Sequence, residues 1–193
     1  KMERSIEDVR GGKIIFLSHC MLNQNAKVKG IAIYPGMIKP LVEVLLEKDI
    51  AVFQMPCPET SYYGSLRWGQ VKDQYNTPMF RAHCRAIAER VLDQVEEYLR
   101  GGYEVLGFVM MDGSPVCGLR KTPQPDPLDS TWGGMTWYIP KQQFVDDSGV
   151  YCEILKDEVE KRGLSHIPFV SFPEVEDVGS EEDALSDIRT LLP

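Results

Sequence analysis

The sequence predicts a single α/β domain of three layers: about four parallel strands, in the order 2-1-3-4, between helices of the Rossmann or flavodoxin kind. Three observations predict it. Short apolar runs bounded by glycine or proline alternate with longer stretches of helical periodicity. The 193 residues suit one domain, with no repeat, linker or low-complexity tract in between. The hydrophobic fraction of 43% is enough to fill a core.

The elements follow in order. Lys13–His19, rich in Ile and Phe after Gly11-Gly12, reads as a buried first strand, and the polar stretch Met21–Gly36 as a loop. Leu41, Val44, Leu45 and Lys48 recur at helical spacing within a helix from about Met37 to Lys48. Ala51–Met55 is the second strand, stopped by Pro56 and Pro58. Thr60–Thr77 reads as a long irregular segment whose Tyr62, Tyr63, Trp68 and Tyr75 argue for an ordered role. A helix over Pro78–Arg100 carries the stripe Ile87, Val91, Val95 and Tyr98, and Gly101-Gly102 ends it. Val105–Met111 is the third strand, and 112–139 reads as a second long loop, containing TWGGMTWY. Ser148 is a candidate cap for a helix over Val150–Arg162, Ile167–Phe172 is the fourth strand, and Ser180 opens a last helix. The acidic residues from Glu174 to Asp187 read as a solvated surface.

The formal net charge of −8 disfavours duplex nucleic acid and anionic membrane, and no apolar run approaches the length of a membrane span. The first residues, KMERSIEDVRGG, contain no apolar stretch, so no secretory leader is expected. Five cysteines with no CxxC spacing read as reduced thiols in a cytoplasmic protein.

Three of them fall just past strand ends, in Ser18-His19-Cys20, in Pro56-Cys57-Pro58-Glu59, and in the run Asp112-Gly113-Ser114-Pro115-Val116-Cys117-Gly118. In an open α/β sheet the carboxyl ends of the strands share one rim, so cysteines distant in sequence can meet there. Three soft ligands on one rim suit a soft metal or an iron–sulfur cluster with one open position. The prolines around Cys57 fix the direction of its sulfur, and the glycines around Cys117 let backbone N–H groups approach a ligand.

SHCMLN, CPE and GSPVCG, in that order after successive strands, resemble the 2-thiouracil desulfurase family. The resemblance implies a 4Fe–4S cluster held by Cys20, Cys57 and Cys117, with one iron left open for the sulfur of a small thiolated heterocycle. It implies proton transfer by Glu59 and positioning of substrate or water by Ser114, without net electron transfer. Between and beyond the motifs this chain has its own segments, MLNQN, TSYYGSLRWG and TWGGMTWY, where pocket-shaping loops are expected.

Each of these residues has a plainer reading. Cys84 and Cys152 lie within helices and read as core. His19 is a ligand, a proton shuttle or a strand-end histidine bonded to backbone; Asp112 is an acid or a turn residue. His19, Asn23 and Tyr62 are candidates for contact with the substrate's planar polar ring, as are Trp68, Trp132 and Trp137, and all equally suit loop or core roles. Two rival functions follow. One is a metal-free cysteine nucleophile, Cys57 or Cys20 with His19 as base; the other is a non-catalytic cluster or sulfur carrier.

Overall fold

The structure, a computed structural model, describes residues 8–125 and 142–193. Its strands are β1 (Lys13–Leu17), β2 (Ala51–Gln54), β3 (Glu104–Asp112), β4 (Lys121–Pro125), β5 (Gln142–Asp146) and β6 (Phe169–Pro173). Its helices are α1 (His19–Leu22), α2 (Lys39–Glu47), α3 (Pro58–Tyr63), α4 (Lys72–Tyr75), α5 (Pro78–Arg100), α6 (Val150–Lys161) and α7 (Glu181–Leu191).

Four strands form the expected parallel sheet, in the order β2-β1-β3-β6, which is 2-1-3-4 when only these strands are numbered. The central strands are apolar on both faces, as a sheet covered on both sides requires. Ile14 and Phe16 pack with α5 and α6 on one face, while Ile15 and Leu17 pack with α2 and α7 on the other. The helix ends follow local chemistry. Thr77 caps α5, its Oγ1 accepting from the Phe80 N–H at 3.3 Å, and Pro78 fills the first turn. Ser180 caps α7 in the same way, through the Asp183 N–H at 3.2 Å.

One phenylalanine from each strand stands in register across the sheet: Phe53, Phe16, Phe108 and Phe169. Their ring centroids are 4.7, 5.5 and 4.8 Å apart in that order. Such contacts add about 0.5–1.5 kcal/mol each to the area they bury. This row ties the strands together just below the rim.

β3 contains an irregularity that its sequence contains but does not advertise. The pairing with β1 slips between Ile14 and Ile15, so that Val105 opposes Ile14 while Gly107 opposes Ile15. The slip inverts the facing of β3 at Gly107: Val105 and Phe108 join one core, Leu106 and Val109 the other. A side chain at 107 would place its Cβ 2.9 Å from the Pro168 carbonyl oxygen. Gly107→Ala is therefore expected to cost about 1–3 kcal/mol, read as a lower urea midpoint with unchanged slope.

Four local expectations are corrected. The first strand ends at Leu17, and His19 and Cys20 begin a short helix. The segment 60–77 is not wholly irregular, since α3 ends in it and α4 lies within it. The stretch 112–139 is not all loop: β4 pairs antiparallel with β5, with Pro123 opposite Phe144. Pro123 and Pro125 argue against a strand by composition, but a two-stranded ribbon leaves ladder positions where no N–H is needed. Ser148 does not cap α6; Gly149 takes that position, and the Ser148 hydroxyl donates to the Leu119 carbonyl at 2.8 Å. Trp132 and Trp137 lie outside the described residues.

Candidate functional site

Each of the three central motifs leaves the sheet at the same edge. Cys20 lies in the first turn of α1, and Cys57 precedes the first turn of α3. Phe16 and Phe53 oppose each other in the sheet, and each of these cysteines lies four residues beyond its phenylalanine. Cys117 lies in the turn between β3 and β4. All three thiols are free, partly buried, and line one cavity of about 120 Å³. His19, Glu59 and Ser114 line it too.

The sulfur of Cys57 accepts from the Thr60 N–H at 3.4 Å and from the Thr60 hydroxyl at 3.3 Å. Burial pushes the Cys20 thiol up to about 12, against the pull of nearby Lys27. Burial pushes Cys117 up as well, and the facing Cys20 and Cys57 sulfurs add to it. Neither is a nucleophile unaided, because the thiolate is the reactive form.

Among the described residues, no group of three or more His, Cys, Asp or Glu side chains converges to hold a single metal ion. A cluster places a different requirement on its ligands. In a cubane each thiolate would bind a different iron, so its ligands need not converge on one point. Three soft donors lining one cavity fit such a group in kind.

Glu59 is held by two bonds. Its Oε2 accepts from Arg67 Nε at 2.8 Å and from the Tyr75 hydroxyl at 2.9 Å. The Arg67 side chain is 5% exposed, and it also donates to the Ala26 carbonyl at 2.7 Å. This arginine thereby fixes 60–77 against the segment after α1. A second buried pair, Lys27 to Glu174 at 2.9 Å, closes the same cavity from the end of β6. Burial raises the Glu174 carboxyl above its usual range, although Lys27 pulls it down.

Ser114 organises the third motif. Its Oγ accepts from the N–H groups of Val116 at 3.2 Å and Cys117 at 3.0 Å, which leaves its own hydrogen for a partner in the cavity. The motif's backbone does not serve a ligand as expected. Gly113, Ser114, Val116, Cys117 and Gly118 all donate within the turn and its flank. Gly118 is needed for a close approach to the chain itself, since a Cβ there would lie 2.3 Å from the Lys121 carbonyl oxygen.

Asp112 is a turn residue: its buried carboxylate accepts from the N–H groups of Leu119, Arg120 and Lys121, and from Arg120 Nε. The His19 ring meets the Met55 carbonyl at 3.2 Å and Asn23 Nδ2 at 3.4 Å. The carbonyl can only accept, so Nδ1 carries the proton. Neither contact is to a thiol. Asn23 and Tyr62 do not line the cavity; Asn23 bonds His19 and Asn25, and Tyr62 packs on Tyr63, Phe80 and His83. Cys84 and Cys152 are fully buried in the core.

Sequence reasoning missed Lys27, Arg67, Gln70, Tyr75, Phe144 and Glu174, all of which line the cavity. Glu174 is a correction: it belongs to the buried site and not to the solvated acidic surface. Its position directly after Pro173, at the end of the fourth strand, was the available signal.

No protein-family model matches the chain. The uncharacterized protein MJ0003 of Methanocaldococcus jannaschii is 32% identical over 113 residues, 58% of this chain and 72% of that protein. Among solved structures, the 4Fe–4S-dependent thiouracil desulfidase TudS is similar with a TM-score of 0.43 and 19% identity, over 93% of this chain and 99% of that one. A likeness of that degree carries no argument about activity. No helix among the described residues is long and apolar enough to cross a membrane.

Proposed function

The chain belongs to the family that includes the uncharacterized protein MJ0003 of Methanocaldococcus jannaschii, and we propose that it removes sulfur from a small thiolated heterocycle at a 4Fe–4S cluster held by Cys20, Cys57 and Cys117. The observation that carries this reading is that three cysteines from three separate motifs line one cavity together with Glu59 and Ser114. Their motifs, SHCMLN, CPE and GSPVCG, support it independently.

A cluster with three protein thiolates supplies a soft Lewis-acidic iron suited to a thiocarbonyl sulfur. The chain's own groups do the rest. Glu59 takes a proton from water at its carboxylate as the oxygen attacks the C=S carbon. Arg67 and Tyr75 hold that carboxylate in place through Oε2. The Ser114 hydroxyl donates to the substrate or to the water. In the balanced reaction, a thiocarbonyl and water give a carbonyl and hydrogen sulfide, and no electron is gained or lost. The cavity's partly buried walls strengthen these interactions relative to open water.

The test is to purify the chain without oxygen and measure iron, acid-labile sulfide and the visible spectrum. About four iron and four sulfide per chain are expected. Absence of both after reconstitution with iron and sulfide would overturn the reading and leave a metal-free thiol enzyme in its place.

A further inference from the structure

Among the described residues, two Lys or Arg side chains line the cavity, Lys27 and Arg67, and they differ in the donors they have left. Arg67 is committed to the protein. Its Nε donates to Glu59, its Nη1 to the Thr60 hydroxyl and the Gly64 carbonyl, and its Nη2 to the Ala26 carbonyl. Lys27 Nζ carries three N–H donors, and Glu174 Oε1 at 2.9 Å is its described partner.

Both members of the Lys27 pair are fixed. The Lys27 N–H donates to the Gln24 carbonyl at 3.1 Å. The Ala26 carbonyl just before it is gripped by Arg67 and by the Thr60 hydroxyl at 3.1 Å. On the other side of the pair, the Glu174 N–H donates to the Asp112 carbonyl at 2.8 Å. Glu174 also lies against Gly113, where a Cβ would come within 3.2 Å of the Glu174 Cβ. The Lys27 side chain is 5% exposed, so water screens its charge poorly. That charge reaches the cysteines: it opposes the burial that raises the Cys20 thiol.

The reaction proposed above calls for such a cation. As the C–O bond forms and the C–S bond breaks, the electron pair collects on sulfur, which departs as an anion. The cysteines are themselves thiolates when they bind a metal. An anion leaving into such surroundings is stabilised by a fixed positive donor that other bonds do not consume.

We propose that the Lys27 ammonium takes the charge of the departing sulfur, donating to it as the C–S bond breaks and holding hydrosulfide until release, with Glu174 as the positioning residue that keeps the ammonium in place. This rests on the desulfuration reading of the cavity. Lys27 keeps its proton throughout. The hydroxyl proton of the adduct passes to sulfur and gives hydrosulfide, and the proton that Glu59 took from water completes hydrogen sulfide at release.

The experiment uses the cluster-loaded protein, kept from oxygen, as wild type, Lys27→Met, Glu174→Gln and the double variant of both. The double variant removes both charges and so leaves no buried carboxylate unpaired. Binding of sodium sulfide, with no substrate present, is read from the visible spectrum. Iron content, circular dichroism and the rate of sulfide release from 2-thiouracil are measured in parallel. Lys27→Met and the double variant are expected to bind sulfide about 10- to 100-fold more weakly than the wild type, with iron unchanged. Their sulfide release is expected to be slower by about 10²-fold. Glu174→Gln keeps the cation and removes its competitor, so it is expected to bind sulfide as tightly as the wild type or more tightly. Where Lys27→Met fails to fold or load, the double variant decides. Wild-type sulfide affinity, or a wild-type rate, in the variants that lack Lys27 would overturn its role. A loss of affinity in Glu174→Gln as large as in Lys27→Met would mark the pair as structural and overturn it as well. In both cases a wild type that releases sulfide leaves the functional reading standing. A loaded wild type that releases no sulfide from 2-thiouracil, and whose spectrum does not respond to sodium sulfide, would overturn the functional reading itself.

Discussion

Glu59→Gln is expected to keep its iron, its acid-labile sulfide and its visible spectrum while losing about 10²- to 10⁴-fold in the rate of sulfide release. The substitution removes the proton acceptor and its negative charge but keeps the size of the side chain. The side-chain oxygen of glutamine still accepts from Arg67 and Tyr75, the two described partners of Glu59 Oε2. The loss of charge leaves the buried Arg67 guanidinium without its counterion, so some fall in melting temperature is expected as well. The rate should therefore be measured well below the variant's melting temperature. A variant that folds, holds its cluster and turns over at the wild-type rate would exclude Glu59 from proton transfer. The companion variant Arg67→Lys keeps the charge but loses the fork that reaches both Glu59 and the Ala26 carbonyl. It is expected to impair catalysis less than Glu59→Gln.

Replacement of the cysteines should divide them into two groups. Cys20→Ser, Cys57→Ser and Cys117→Ser are each expected to reduce iron from about four per chain to near zero after reconstitution without oxygen. Serine is close in size but presents a hard oxygen where soft iron favours sulfur. Cys84→Ala and Cys152→Ala should retain full iron, because both thiols are buried in the core and neither lines the cavity. They lose only packing, about 1 kcal/mol for one buried group of that size. Iron retained in any of the first three, or lost from either of the last two in a folded protein, would show that the ligand trio is wrongly assigned. Circular dichroism separates loss of metal from loss of fold.

The sheet was legible because its causes are local. Glycine and proline bracket each apolar run, and alternation of strand with helix constrains the strands to run parallel. The cysteines were legible for a related reason, since the end of a strand in such a sheet is a known place in space. The remainder of the site was not. Arg67 and Gln70 come from a segment without regular period, and what places them is a set of tertiary bonds, such as Arg67 to the Ala26 carbonyl. Glu174 was hidden by its acidic neighbours: composition averages over a run, whereas burial acts on one side chain at a time. The pairing of β4 with β5 was hidden by its prolines. It carries Phe144 to the cavity, so the error reached the site. Asn23 and Tyr62 drew attention as residues able to contact a planar ring. Their described contacts are with other side chains and with the chain itself.

The row of four phenylalanines bears on how this protein would be maintained over its working life. It lies in the sheet below the rim, and both cores close around the strands through residues other than the proposed ligand trio, with Cys20 and Cys117 only at their margins. A zinc finger has no fold until its metal arrives, so loss of the metal destroys the scaffold. Here the scaffold is braced independently of its rim. Loss of the proposed cluster to oxidation should then leave a folded, refillable vessel. A protein built in this way would be reloaded with iron and sulfide in place, without being degraded and made again.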